Sequence, residues 1–325
     1  MRTPEMRTVG ERLVEGLAAR GVKVVFGIPG VHTVELYRGL SGSPIRHVTA
    51  RHEQGCAFMA DGYARVSGQP GVAFVITGPG LTNALTAMAQ SREDSIPVLI
   101  ISGVNRRDTL GKGLGRLHEL PDQAAMVRTL CPSRQITDPA QVGPTLDWAF
   151  DLLTSNRPGP VHIEVPTDVM PLPCDALPDP TPRAAALLPS ATDLAAAADR
   201  LNAANNIVIL AGGGCRHAEA ALRALSEKLD APVIQTTNAR GLMHGHPLCL
   251  PASPSLDPTR ALIKAAGQVL AIGTEFGQTD YDMYANGGFP DLPGMIRIDI
   301  SPDQLARQSA ALALLGDAAA TMTAL

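Results

Sequence analysis

Short, almost continuous apolar runs alternate with longer amphipathic segments along the first 170 residues. The amphipathic segments predict helices, the first of which carries a capping box formed by Thr8 and Glu11. The apolar runs predict strands at 22–26, 45–48, 72–77, 97–102 and 159–166. Strands that are apolar on both faces and separated by helices are typical of a parallel sheet covered on both sides.

Two other stretches interrupt this alternation. Between residues 102 and 135 the pattern gives way to a glycine-rich stretch, which we interpret as one long functional loop. Residues 171–190 contain six prolines and are typical of a stiff linker. A second alternating pattern follows, with strands predicted at 206–210, 232–235, 269–272 and 295–300. We therefore expect an α/β protein with two doubly wound, mainly parallel-sheet domains, 1–170 and 191–325, joined by this Pro-rich linker.

Composition and charge exclude several classes of protein. The net charge of −4 and the lack of a basic run argue against nucleic-acid binding. No stretch approaches the roughly 18 apolar residues of a membrane span, and the charged N-terminus is unlike a signal peptide. The five cysteines are odd in number and lack metal-ligand spacing, so we expect reduced thiols, no metal site and a cytoplasmic location.

Three short motifs follow predicted strands, where a doubly wound sheet binds its ligands. Glycines in such turns let a ligand approach the backbone, and helix N-termini offer unpaired N–H groups. Each motif alone indicates no more than a turn. The motifs are Gly27-Ile28-Pro29-Gly30, Arg51-His52-Glu53-Gln54-Gly55 and Thr77-Gly78-Pro79-Gly80-Leu81-Thr82-Asn83.

The order and spacing of these motifs resemble the pyrimidine-binding domain of thiamine-diphosphate enzymes, in the superfamily of acetolactate synthases and 2-oxo acid decarboxylases. The second half is similar to the central domain of the same superfamily, so the resemblance extends from about residue 9 to residue 325. The run 27–37 looks most like decarboxylases of guanidino 2-oxo acids. Further matching segments are Asp61–Arg65, Asp94–Pro97, Gly212–Gly214, Ile272–Thr274, Ile298–Pro302 and Gly316-Asp317.

The resemblance implies that Glu53 is the catalytic residue, a carboxylate that hydrogen-bonds the aminopyrimidine of thiamine diphosphate. The alternative from the residues alone is that Glu53 merely caps a helix. His118 departs from the glutamine usual in acetolactate synthases. The implied cofactor-binding residues, for which turn chemistry is the alternative, are Pro29, Gly30, Gly78, Pro79 and Asn83. The candidate substrate contacts, for which a solvated loop or a surface histidine is the alternative, are His32, His118 and Gln123.

The second domain offers weaker signals. Its Gly212–Gly214 turn is not the dinucleotide fingerprint, since position 217 is His. Some members of the superfamily hold FAD in this domain, and we favour a purely structural role here over bound FAD. His244, His246 and Cys249 suggest a metal site, but no further ligand completes it, so a loop is the preferred interpretation.

A diphosphate-binding motif, Gly-Asp-Gly, is missing from these 325 residues. By resemblance, that motif belongs to a third domain that holds Mg²⁺ and the diphosphate. We therefore expect this stretch to be inactive alone and to rely on a homodimer or a partner chain for that domain. The substrate would be a 2-oxo acid. The alternatives are an acetolactate synthase large-subunit fragment, identified by its product, and a non-catalytic assembly protein of the same fold.

Overall fold

A computed structural model describes residues 7–155, 157–285, 287–292 and 294–325. The chain divides into two compact units, 1–184 and 185–325. None of the helices in the described ranges is long and apolar enough to cross a lipid bilayer.

The first unit is built on a six-stranded parallel sheet with the strand order β3-β2-β4-β5-β7-β6. The predicted parallel sheet is therefore confirmed. A separate antiparallel pair, β1 and β8, lies outside it. The strands of the unit are β1 (Arg7–Thr8), β2 (Val24–Gly27), β3 (Arg46–Thr49), β4 (Gly71–Val75), β5 (Val98–Val104), β6 (Ser133–Gln135), β7 (Pro160–Pro166) and β8 (Pro173–Cys174).

Helices cover both faces of this sheet. Helices α1, α2 and α6 share one apolar core with Leu99 and Ile101 of β5, while α3, α4 and α5 share the other with Val98 and Ile100. Successive residues of β5 thus point into opposite cores, which explains the continuous apolar run. The helices are α1 (Val9–Ala19), α2 (Val34–Leu40), α3 (Glu53–Ser67), α4 (Pro79–Glu93), α5 (Gln123–Arg128) and α6 (Val142–Thr154).

The start of α1 follows the predicted chemistry. Thr8 accepts a hydrogen bond from the Glu11 backbone, and the Glu11 side chain accepts one from Thr8 N at 2.7 Å. This reciprocal capping box is confirmed.

The prediction of one long loop from 102 to 135 was wrong, because α5 and β6 lie within it. Both elements lack the apolar pattern on which the prediction depended. Helix α5 buries only Gln123 and Val127, and β6 consists of Ser133, Arg134 and Gln135. The two elements are nevertheless part of the fold, since β6 pairs with β7 and the first residue of α5 is buried in a polar network described below.

The second unit repeats the same architecture with the strand order β12-β10-β9-β13-β14-β15, again all parallel. Its two short edge strands, β12 and β15, were missing from the sequence prediction. The strands are β9 (Ile207–Ala211), β10 (Val233–Gln235), β11 (Arg240–Met243), β12 (Cys249–Leu250), β13 (Gln268–Ile272), β14 (Ile296–Asp299) and β15 (Leu312–Leu315). The helices are α7 (Ala191–Ala203), α8 (Glu219–Leu229), α9 (Asp257–Ala265), α10 (Gln278–Tyr281), α11 (Pro302–Ala306) and α12 (Ala318–Ala324).

The proline-rich segment 171–190 contains the boundary between the two units. Its first part belongs to the first unit: β8 pairs with β1, and Leu172 and Leu177 pack against the core shared by α1, α2 and α6. Its Thr181 hydroxyl donates to Asp147 of α6 at 3.1 Å.

Candidate functional site

The three glycine-containing motifs follow three strands that are neighbours in the sheet. Strand β2 lies between β3 and β4, and Gly27 at its end pairs with Thr49 on one side and Phe74 on the other. Because all three strands are parallel, their carboxyl ends meet at one edge of the sheet. The motifs that the sequence separates by about 25 residues are therefore brought together there.

Glu53 is the first residue of α3, which begins shortly after β3 ends at Thr49. The cap of this helix is His52, whose Nδ1 accepts from Gln54 N at 3.1 Å. The Glu53 carboxylate is half-buried and accepts from Asn83 Nδ2 at 3.0 Å through Oε2. In the described part of the chain, Oε1 has no hydrogen-bond partner. The alternative of a simple helix cap thus loses its main support, since His52 performs that role.

The turns after β2 and β4 pack against the same side chain. A Cβ added to Gly30 would meet the Ile76 side chain at 2.5 Å, and one added to Gly80 would meet it at 2.6 Å. Both glycines are needed for this close approach. The neighbouring Pro29 and Pro79 are exposed at the rim of the edge.

Gly78 has a backbone conformation that L-residues rarely adopt, with φ at +62° and ψ at −119°. A Cβ at this position would overlap with the carbonyl oxygen of His118. His118 itself has φ at +56°. The glycine therefore permits direct contact between the turn before α4 and the 111–122 loop.

His32 and His118 lie near each other, with ring centroids 6.3 Å apart. His32 is buried, its Nδ1 lacks a hydrogen-bond partner, and its backbone packs against Gly103 at the end of β5. Burial lowers the pKa of His32. A hydrogen bond with the Asn105 side chain opposes this shift, and the nearby His118 adds to it. His32 is therefore neutral at pH 7 and presents an unpartnered ring nitrogen.

Gln123, a candidate substrate contact, is buried, and protein groups bond to both ends of its side-chain amide. It is 4 % exposed, and its Oε1 accepts from Thr77 Oγ1 at 2.7 Å and from Gly78 N at 2.9 Å. Its Nε2 donates to Ser102, to the Gly103 carbonyl and to Glu164 Oε2, the last at 2.7 Å. With both ends of the amide engaged by protein, Gln123 positions the Gly78 turn.

A polar network continues from Gln123 into the sheet. Glu164 accepts from Gln123 and, through Oε1, from Gln135 Nε2 at 2.6 Å. Burial raises the pKa of Glu164 although both amides oppose the shift. Ser102 Oγ lies 2.8 Å from His162 Nε2, whose ring is fully buried and whose pKa is lowered by burial to about 3. Sequence reasoning missed this network, although a His and a Glu within an otherwise apolar strand are a signal for it.

Two carboxylates of the 111–122 loop, Glu119 and Asp122, accept hydrogen bonds from backbone N–H groups nearby. Glu119 accepts from the Leu114 and Arg116 backbones at 3.2 and 3.0 Å. Asp122 caps α5 by accepting from Ala125 N at 2.8 Å. Both acids therefore organise the loop, and neither presents an unengaged carboxylate for a cationic substrate.

In the second unit the glycine turn after β9 is explained by packing. A Cβ on Gly212 would overlap with Gly273 O, and one on Gly214 would meet Gly273 Cα at 2.7 Å. The turn thus contacts the end of the neighbouring strand β13 at the place where strand order reverses. His246 lies 2.9 Å from Glu227, and across the described ranges no cluster of three His, Cys, Asp or Glu could hold a metal ion.

Comparison with known protein families shows which family has the sequence of these two units. Residues 7–126 match the family model described as "Thiamine pyrophosphate enzyme, N-terminal TPP binding domain", and residues 194–325 match the central domain of the same enzymes. The chain belongs to the thiamine pyrophosphate enzyme family. The two matched segments together cover well over half of the chain. Thiamine pyrophosphate is another name for thiamine diphosphate, the cofactor that the sequence analysis expects.

Two curated relatives in this family are similar over most of the chain. The "Probable 2-ketoarginine decarboxylase AruI" of Pseudomonas aeruginosa is 46% identical over 330 residues, which cover 100% of this chain and 58% of that protein. The acetolactate synthase isozyme 1 large subunit of Escherichia coli is 34% identical over 275 residues, covering 83% and 49% respectively. The chain therefore spans about half the length of the curated relatives that it matches.

A solved structure shares the fold. It is a protein from Mycobacterium smegmatis provisionally assigned as a thiamin diphosphate-dependent enzyme, with a TM-score of 0.84 and 23% sequence identity. The match covers 98% of this chain and 62% of that one. The two doubly wound sheets are thus the fold of this family, as the sequence predicted.

The residues at the sheet edge fit the aminopyrimidine end of thiamine diphosphate. Glu53 offers one carboxylate oxygen without a protein partner, and the buried His32 Nδ1 is likewise unpaired. The Gly30 and Gly78 turns lie at this edge, and their glycines allow close packing against Ile76 and His118. Sequence reasoning missed the buried Tyr37 hydroxyl, which also lacks a partner and packs against Gly27.

Proposed function

We propose that this chain forms the pyrimidine-binding and central part of a thiamine-diphosphate-dependent enzyme that decarboxylates or ligates 2-oxo acids. The observation that carries the proposal is the half-buried Glu53 carboxylate, with Oε2 held by Asn83 and Oε1 without a protein partner. A carboxyl group can exchange a proton with a ring nitrogen through a hydrogen bond, and the free oxygen of Glu53 is available for such a contact.

When bound, thiamine diphosphate supplies the carbanion chemistry that breaks the bond next to a 2-oxo group. In this proposal Glu53 accepts and returns a proton at a pyrimidine nitrogen, and Asn83 fixes the orientation of its carboxylate. The turns Pro29-Gly30 and Gly78-Pro79 shape the walls for the ring. His32, neutral because of burial, and His118 face the reacting end as hydrogen-bonding groups.

The proposal assigns the diphosphate and its Mg²⁺ to residues outside this stretch, in a longer protein or in a partner chain. The lack of a Gly-Asp-Gly motif in these 325 residues supports that assignment. If the stretch belongs to a longer protein, a homodimer of that protein is the simplest arrangement that would complete the site. The proposed location is the cytoplasm, which the free cysteines support.

For the substrate we propose a guanidino 2-oxo acid, because the relative with 46% identity over the whole chain is described as a 2-ketoarginine decarboxylase. Acetolactate formation is the second candidate, supported by the acetolactate synthase relative. The product separates them: an aldehyde and CO₂ from 5-guanidino-2-oxopentanoate support the first, and acetolactate from pyruvate supports the second.

For the central unit we propose a structural role without FAD. The close packing of the Gly212–Gly214 turn against Gly273 supports this role, since it explains the glycines without a ligand. A flavin absorption spectrum in the purified protein would contradict it.

The decisive experiment compares Glu53→Gln with the unchanged protein in the complete, Mg²⁺-loaded enzyme. We expect kcat to fall by about 10²-fold or more, because Gln accepts a hydrogen bond but cannot take up a proton. The matched control is Glu93→Gln, the same change at an exposed position on α4. Unchanged turnover in Glu53→Gln would overturn the proposal, and a complex that assembles but never turns over 2-oxo acids would favour a non-catalytic assembly protein.

A further inference from the structure

An open depression of about 600 Å³, called the cavity below, lies on the surface beside the edge strand β6, away from the site described above. Three arginines from three different elements line it: Arg92 near the end of α4, Arg128 at the end of α5 and Arg134 in β6. Trp148 of α6, the one tryptophan of the chain, completes the wall.

This cavity lies near the amino ends of the strands, whereas Glu53 lies near their carboxyl ends. Arg92 and Arg128 lie at the ends of the helices that lead into β5 and β6, so they are close to the amino ends of the strands. Glu53 and Gly78 follow the carboxyl ends. The cavity is therefore separate from the candidate cofactor site.

Two of these three arginines have no carboxylate partner among the described residues. Within the described ranges no carboxylate oxygen lies within 4.0 Å of the Arg92 or Arg134 guanidinium groups. Asp122 is 3.8 Å from Arg128, and it also serves as the cap of α5. Three cationic groups thus share one concave surface in a chain whose net charge is −4. Such a concentration of guanidinium groups attracts anions.

Arg134 is held in place without losing its hydrogen-bond donors. Its guanidinium carbon lies 4.2 Å from the centre of the Trp148 ring, a cation–π distance. Because the five N–H groups of arginine point outward in the guanidinium plane, stacking leaves them directed to the surroundings. The stacked Arg134 is therefore a pre-oriented donor for an oxyanion.

We propose that this cavity binds a small molecule that carries two or three linked phosphate groups. Three guanidinium groups match the charge of a di- or triphosphate, and their planar forks match its oxygen geometry in a bidentate manner. The inference does not depend on the proposed function of Glu53.

Trp148 makes the test direct, since it is the only fluorophore of its kind in the chain and lines the cavity. The full chain is titrated with inorganic tripolyphosphate at low ionic strength, without divalent cations, and Trp148 emission is recorded. We expect a saturable change that weakens as salt is added. Arg92→Gln and Arg128→Gln should each raise the dissociation constant at least tenfold, because each removes a charge-assisted contact.

The matched control is Arg46→Gln, which removes the same charge from an exposed arginine in β3, the edge strand on the other side of the sheet. It should leave the dissociation constant unchanged, and so should Glu53→Gln. The kinetic test of Glu53 and this binding test therefore give independent results, and either proposal can fail without the other. Absence of saturable binding, or equal weakening by Arg46→Gln, would overturn the inference.

Three further ligands define the chemistry. Citrate carries a similar charge on carboxylates, and equal or tighter binding of citrate would overturn the assignment to phosphates. ATP that binds more tightly than tripolyphosphate would identify a nucleotide, with its base stacking on the exposed face of Arg134. Equal affinities for ATP, thiamine diphosphate and the inorganic phosphates would show that the cavity recognises the phosphate chain alone.

Discussion

Asn83 donates from Nδ2 to Oε2 of Glu53 at 3.0 Å and thereby joins the beginnings of α3 and α4. The bond fixes one oxygen of the carboxylate and leaves the other available at the carboxyl edge of the sheet. Local secondary structure does not require this contact, because His52 already caps α3. The hydrogen bond from Asn83 therefore serves to orient the Glu53 carboxylate.

Asn83→Ala should separate catalysis from stability. The bond is partly exposed, so its loss should lower the free energy of unfolding by only about 1 kcal/mol. In the complete enzyme we expect kcat to fall at least tenfold, because the Glu53 carboxylate is no longer held in one orientation. Urea unfolding followed by Trp148 fluorescence measures the first quantity, and steady-state kinetics measures the second.

Gln90→Ala is the control for this variant. Gln90 lies on the same helix and donates to the Asp94 carboxylate at 2.7 Å, away from the carboxyl edge of the sheet. Its substitution should affect stability about as much as Asn83→Ala and leave kcat unchanged. Equal kinetic losses in the two variants would show that the Asn83 bond has no special role.

Gly78→Ala should disrupt the turn before α4. The backbone there has φ at +62°, which costs an L-residue about 1–3 kcal/mol, and the new Cβ would overlap with His118 O. We expect a loss of more than about 2 kcal/mol in the unfolding free energy of the first unit. Urea denaturation with Trp148 as the probe measures it.

Gly62→Ala is the matched control, since a Cβ at this position in α3 would meet nothing within 4 Å. Alanine in a helix interior is favoured over glycine, so this variant should gain about 0.5–1 kcal/mol. A destabilisation of similar size in both variants would mean that the positive φ and the His118 contact do not matter.

The sequence predicts those parts of the fold and the site that leave a local pattern, such as an apolar run or a short motif. The parallel sheet follows from apolar runs such as 98–101, because burial on both faces leaves that pattern in the sequence. Glu53 and Gly78 were found because they lie in short motifs next to strand ends. Helix α5 and strand β6 were missed because they are held by polar contacts, such as Gln123 to Gly78, between residues 45 positions apart. No local periodicity reports contacts of that kind.

Gln123→Leu tests whether the buried amide supports the turn. Leucine has a similar size but would leave the Gly78 N–H and the Glu164 carboxylate without this partner in a buried region. An unpaired buried donor and a less well-solvated carboxylate each cost about 1–3 kcal/mol, so we expect the first unit to lose about 3 kcal/mol or more. The Trp148-detected urea midpoint should fall accordingly.

Gln69→Leu makes the same substitution at an exposed position after α3 and should change stability by less than about 0.5 kcal/mol. If Gln123→Leu were equally mild, Gln123 would not be the residue that positions the Gly78 turn. Its placement as a substrate contact would then regain support.

His162 should make the first unit sensitive to acid. Its ring is fully buried, and burial lowers its pKa from 6.5 to about 3 in the folded protein. The unfolded chain therefore takes up a proton near pH 6.5 that the folded chain does not. Stability from this residue is fully present above pH 6.5 and should fall by about 1.4 kcal/mol per pH unit as the pH drops from there toward 3.

His162→Gln should flatten this part of the pH profile, whatever its effect on stability at pH 7, because glutamine does not titrate. Glu164 acts in the opposite sense: its raised pKa gives stability that is present at low pH and is lost as the pH rises through the folded value. Since Glu164 is present in both proteins, the difference between their unfolding free energies from pH 4 to 6.5 isolates His162. The control His244→Gln removes an exposed histidine and should keep the original slope. Parallel profiles for His162→Gln and the unchanged chain would mean that the ring is protonated without unfolding, and that Ser102 and Ser133, each 2.8 Å away, stabilise the charged form.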